Sequence, residues 1–128
     1  MDVVRQDAVM SLTASQFVSA LTAQAPETAT TLSEHLADQE GELLLHLLVG
    51  DLRILALDCF RTGRTDTLSR LLSVLERGLR DGDEYVENAV AVSFVEDLGW
   101  WDPAMQPFIE VLPEGLLAEV ERQRSSSD

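Results

Sequence analysis

Few side chains in this sequence could do chemistry. Histidine occurs twice, at His35 and His46, and cysteine once, at Cys59. Glu42 and His46 stand four apart, so a helix would place them on one face, with His35 and Asp38 on the segment before. Together they would form a mixed imidazole–carboxylate metal site, the core of a small metal-dependent hydrolase. The spacing is neither HExxH nor any other metal-specific pattern. His46 is embedded in LLLHLLV, where a hydrogen-bonded histidine on a helix is the expected role. Cys59 lies in LALDCF with no His or Asn close by, so a buried free thiol is expected rather than a nucleophile. There is no GxSxG, and with no lysine anywhere a P-loop is impossible. The adjacent acids Glu96 and Asp97 fit a solvated helix end better than an acid–base pair. The sequence therefore predicts no catalytic residue, no metal and no cofactor.

What must position these groups is a chain of 128 residues, enough for one domain with a real core. Hydrophobic residues make up 45% and aromatic ones 5%, so that core must be aliphatic. Helical spacing dominates. Thr13 and Gln16 form a capping box ahead of Phe17, Val18 and Leu21. Pro26 suits the first turn of a second helix, with Leu32, Leu36 and Ala29 facing inward. A third helix is expected over about 42–61, with Leu44, Leu47, Leu48, Leu52, Leu55, Ala56, Cys59 and Phe60 facing the core and Gly63 as C-cap. A fourth, about 65–80, carries Leu68, Leu71, Leu72, Leu75 and Leu79.

The stretch GDEYVENAVAVSFVEDLGWWDP holds the fifth element. AVAVSFV alternates with period two, which leaves a strand open, but Asp81-x-x-Glu84 reads as a cap, and some 16 residues precede Gly99 with no partner strand elsewhere. A helix apolar around most of its circumference is expected, buried between neighbours or completed by a second copy of the chain. PEGLLAEVERQR forms the sixth helix, with acids in its first turn and arginines in its last. The prediction is all-α: one domain over 1–124 of about six helices, an antiparallel bundle or a short solenoid of hairpins, with 125–128 a flexible tail.

Charge sets the function classes. The net charge is −14, and all nine basic residues are arginine. Such a field repels nucleic acid and anionic membranes and attracts a basic protein. No apolar run is long and uncharged enough to span a bilayer, and MDVVRQDAVMS makes a poor signal peptide, so a cytoplasmic protein is expected. The charge is also segregated. Six arginines fall between Arg53 and Arg80, whereas Asp81 to Glu121 holds eleven acids and no base. Capping one helix needs one or two acids, yet Asp81, Asp83, Glu84 and Glu87 gather there. Trp100 and Trp101 follow Gly99 in an expected loop, where one should plug the core and the other stay partly exposed. An exposed Trp beside acids suits an interface hot spot. The expected partner-binding set is Asp81, Asp83, Glu84, Glu87, Asp97, Trp100, Trp101 and Asp102.

GDEYVENAVAVSFVEDLG and the closing LPEGLL (112–117) resemble, over about 80–124, a group of small uncharacterised all-helical bacterial proteins that themselves resemble immunity proteins of polymorphic toxin systems. The resemblance implies no catalytic residues. It implies a non-enzymatic antitoxin that binds and neutralises a cognate basic toxin domain. A helical scaffold or regulatory adaptor is the alternative, and the metal-dependent hydrolase a third.

Overall fold

A computed structural model describes residues 11–126. Among them the fold is all-α, with a single isolated bridge, between Leu12 and Gly82, in place of any sheet. The expected domain start at residue 1 lies outside the described residues.

Helix α1 (Ala14–Gln24) opens with the expected box: Thr13 Oγ1 accepts from Gln16 N–H, and Gln16 Oε1 accepts from Thr13 N–H. Helix α2 (Thr28–Asp38) begins two residues beyond Pro26, because the Thr28 hydroxyl bonds back to the Ala25 carbonyl and makes Pro26 and Glu27 a turn. Ala29 is exposed rather than inward, since the buried face of α2 runs through Thr28 and His35. Glu40 and Gly41 both adopt positive φ, which holds α3 (Leu45–Thr62) back to Leu45. Leu47 points to solvent rather than into the core, because the face that α3 buries runs through Leu45, Leu48, Leu52, Ala56 and Cys59. Gly63 ends α3 in the left-handed conformation that glycine adopts at no steric cost.

Helix α4 (Thr65–Asp81) is the hub. Leu68, Leu71, Leu72 and Leu75 are buried as their spacing predicts, and α4 packs against α1, α3, α5 and α7. Helices from both ends of the chain meeting one central helix make this a bundle rather than a solenoid, whose units touch only their neighbours. Gly78 is where α1 comes closest: a Cβ there would lie 2.7 Å from Cε1 of buried Phe17. The amide of Leu12 donates to the Asp81 carbonyl and the Leu12 carbonyl accepts from Asp83 N–H, tying the start of the described chain to the α4–α5 corner.

AVAVSFV is helical, but not simply α. Helix α5 (Glu84–Ala89) widens into a π-helical segment, Val90–Val95, and tightens into a 3-10 turn, Glu96–Leu98, before Gly99. The wide turn lets Ser93, Phe94 and Val95 be buried in succession, which a regular amphipathic helix does not allow. Asp83 is the residue that caps α5, accepting from Val86 N–H; Asp81 belongs to the last turn of α4. Two short elements went unread in the sequence, a 3-10 turn over Pro103–Met105 and α6 (Gln106–Ile109). They bury Phe108 edge-on to Phe60 and Ile109 in the core. Helix α7 (Glu114–Ser126) runs two residues past the expected end of the domain, so Ser125 and Ser126 are helical rather than tail.

The start of α3 has no side-chain cap of its own. Leu44 N–H donates to His35 Nε2 and Leu45 N–H to the Tyr85 hydroxyl, so α2 and α5 supply acceptors for the start of α3. In the same way Glu76 of α4 accepts from Leu116 N–H in the first turn of α7. No described helix is long and apolar enough to cross a membrane.

Candidate functional site: a tryptophan face beside an acidic groove

The eight expected partner-binding residues divide by what the fold asks of them. Asp83 is half-buried and spent on its cap. Asp81 is exposed at the end of α4 and lines a cleft with Arg77, Arg80 and Pro113, away from the tryptophans. Asp97 is exposed on the 3-10 turn. Asp102 is exposed and caps the Pro103 turn through Ala104 N–H. Glu84 and Glu87 are exposed and line an open groove of about 600 Å3 together with Tyr85, Glu119 and Arg122.

The two tryptophans differ: one is exposed as expected, while the other packs at the edge of the core rather than plugging it. Trp100 is half-buried, and its indole Nε1–H donates to Gln123 Oε1 at 2.8 Å. Trp101 is 65% exposed and meets Trp100 edge to face, with centroids 5.2 Å apart. A cleft lies on either side of the pair. One, of about 440 Å3, includes Asp102, Pro103 and Gln106; the other, of about 410 Å3, includes Glu96, Arg122 and Gln123. Arg122 lines both this second cleft and the Glu84–Glu87 groove. The fold thus joins two of the expected acids to both tryptophans along α7, and leaves Asp81 elsewhere.

The residues that make this join were not singled out in the sequence. Glu119 and Arg122 form a paired carboxylate–guanidinium contact one turn apart, and the i, i+3 spacing was its visible signal. The hydrogen bond from Arg122, helped by that from Gln123, holds the Glu119 carboxyl below its ordinary value despite burial. Glu119 in turn raises Arg122, with a smaller contribution from Glu87. The acidic stretch is therefore less uniform in space than along the chain, because α7 lays a guanidinium into it. Gln123 links the two halves: it holds Trp100, donates to the Ala91 carbonyl in the π-helical segment at 3.0 Å, and donates to Glu119 at 3.0 Å.

The residues weighed for metal chemistry do other things. His35 Nε2 accepts a backbone proton, so Nδ1 carries the ring hydrogen and neither nitrogen offers a free lone pair. His46 shares Nδ1 with the Ser93 hydroxyl at 3.0 Å and packs near Tyr85. Among the described residues no three His, Cys, Asp or Glu side chains are gathered as a metal would require. Cys59 is fully buried, and burial raises its thiol pKa, the reverse of what a nucleophile needs.

No curated protein and no solved structure gives a significant match to this chain. Residues 18–126, spanning every helix from within α1 to the end of α7, match the family described as Domain of unknown function (DUF7674), and the chain belongs to that family.

Proposed function

We propose that this chain is a non-enzymatic binding protein that docks a basic protein partner, with neutralisation of a cognate bacterial toxin as its biological form. The observation that carries this reading is Trp101: a large aromatic, 65% exposed, standing between two clefts and joined through Arg122 to a groove edged by Glu84 and Glu87. Interface energy concentrates in such aromatics, and a complementary field raises the association rate. The net charge of −14 supplies that field and selects a cationic surface over nucleic acid.

The test is genetic and then biophysical. The domain encoded by the adjoining gene is expressed alone and with this chain, and growth is measured. Toxicity relieved by co-expression, and restored by Trp101→Ala or by Glu84→Lys with Glu87→Lys, supports the proposal. A harmless neighbour that does not bind refutes the toxin form. Binding untouched by all three substitutions refutes the surface.

A further inference from the structure

The tryptophan face has a chemistry more specific than its area. Trp101 is 65% exposed, so most of its indole is open to solvent. It meets Trp100 at 80°, with centroids 5.2 Å apart. The two rings therefore form a corner and leave no room for a cation between them, as an aromatic cage would. Asp102 lines the cleft on one side of the pair and Glu96 the cleft on the other. Among the described residues neither carboxylate is in an ion pair. Asp102 is fixed in place by Ala104 N–H, which bonds Oδ1 and leaves Oδ2 as an acceptor. The guanidiniums that border the clefts are matched by acids of their own helix: Arg122 is tied to Glu119, and Arg124 to Glu121 and the Trp100 carbonyl.

The carboxylates alone would mark only a solvated surface; the indole standing between them decides what fits. An anion is repelled by Glu96 and Asp102. A purely apolar side chain covers the ring but takes water from the carboxylates and gives nothing in return. An ammonium is a compact, strongly hydrated charge that covers little of an indole. A guanidinium is planar and weakly hydrated, stacks on aromatic faces, and carries a fork for a carboxylate at the ring's edge. We propose that Trp101 seats an arginine of the basic partner, its guanidinium stacked on the indole and its fork turned to Asp102. Glu96, across the ridge, adds to the field that draws it in. The proposal rests on the reading that the partner is basic, and it names the side chain that occupies the tryptophan face.

The test is an NMR titration of the full chain with acetylated glycyl-arginyl-glycine amide at low, fixed ionic strength. The chain has two tryptophans, so two indole N–H signals report on the site. That of Trp100, bonded to Gln123, shows whether each variant keeps its fold. Saturable movement of the Trp101 signal is expected, with the arginine side-chain protons moved upfield by the ring current. The same peptide with lysine should bind about two- to fivefold more weakly, and with citrulline, the uncharged analogue of the same shape, at least about fivefold more weakly. Trp101→Leu, which keeps an apolar side chain and loses the ring, should weaken the arginine peptide about two- to fivefold. Asp102→Asn keeps an acceptor for Ala104 N–H and should weaken it by about the same factor. Citrulline binding as tightly as arginine, or saturable shifts centred on Glu84 and Glu87 with the Trp101 signal unmoved, overturns the stacked arginine and leaves the basic-partner reading standing. No saturable binding of the arginine or the lysine peptide anywhere overturns both.

Discussion

Replacing Gln123 by alanine is the sharpest test of how the tryptophan face is built. The amide makes three hydrogen bonds: Trp100 Nε1 to its oxygen at 2.8 Å, and its nitrogen to the Ala91 carbonyl and to Glu119, both at 3.0 Å. Glu119 keeps Arg122 when Gln123 is removed, so that loss is minor. The other two bonds are partly buried, and each should be worth about 0.5–1.5 kcal/mol. The expected cost is about 1–3 kcal/mol, a large share of the stability of a domain this size but not all of it. At about 4 °C per kcal/mol, the melting temperature should fall by about 4–12 °C. Trp100 should also become wetter, and the tryptophan emission should move to the red. Gln123→Met, which keeps the volume and loses the polarity, separates hydrogen bonding from packing and should cost nearly as much. A double-mutant cycle with Trp100→Phe isolates the indole bond, with a coupling of about 1 kcal/mol expected. Two substitutions additive within about 0.3 kcal/mol, or an unchanged emission spectrum in Gln123→Ala, would refute the claim that this amide holds Trp100 in place.

Three further predictions concern the rest of the molecule. Gly78→Ala should destabilise by about 1–3 kcal/mol despite the better helix propensity of alanine, because the new methyl would sit 2.7 Å from the Phe17 ring; denaturant unfolding measures it, and a stabilised variant contradicts the close approach of α1 and α4. Glu119 has a depressed pKa, so its contribution is complete above the ordinary value of 4.5 and is lost as pH falls through the lower folded value; between about pH 6 and about pH 3 the wild type should lose more melting temperature than Glu119→Gln, and parallel losses would contradict the Arg122 contact. Cys59, buried with a raised thiol pKa, should react with a thiol reagent at about pH 8 only as fast as the chain unfolds, and labelling that ignores added denaturant would contradict its burial.

Elements whose cause is local were legible in the sequence. The Thr13 box, the leucine stripe of α4 and the Gly63 cap each rest on residues close together in the chain, and each stands where its spacing put it. Features caused by distant neighbours were not. Asp81 and Asp83 both precede a helix at positions able to cap it, and the pairing of Leu12 at the α4–α5 corner accompanies the choice of Asp83. The widening at Val90–Val95 goes with contacts from His46 and Gln123, which lie some 30 to 47 residues away. Leu47 fits the leucine spacing of a core position, but the face that α3 turns inward runs through Leu45, Leu48, Leu52 and Ala56 and leaves it outside. At the candidate site, the exposed tryptophan and two of the acids could be picked out by type. Their connection through Arg122 could not, because α7 reaches them from the far end of the chain.

The borrowed caps make the helices depend on one another. Cut out as a peptide, α3 would lose the acceptors for Leu44 and Leu45, and α7 the one for Leu116, so neither could hold its first turn without its neighbours. Such a chain should fold as a single cooperative unit, with little native helix surviving in fragments. The arrangement also gives Tyr85 two audiences. Its side chain lines the Glu84–Glu87 groove while its hydroxyl clasps the opening turn of α3. Whatever settles in that groove presses on the same residue that holds α3 closed. Hydrogen exchange at Leu45 would therefore register occupancy on the far side of the tyrosine ring.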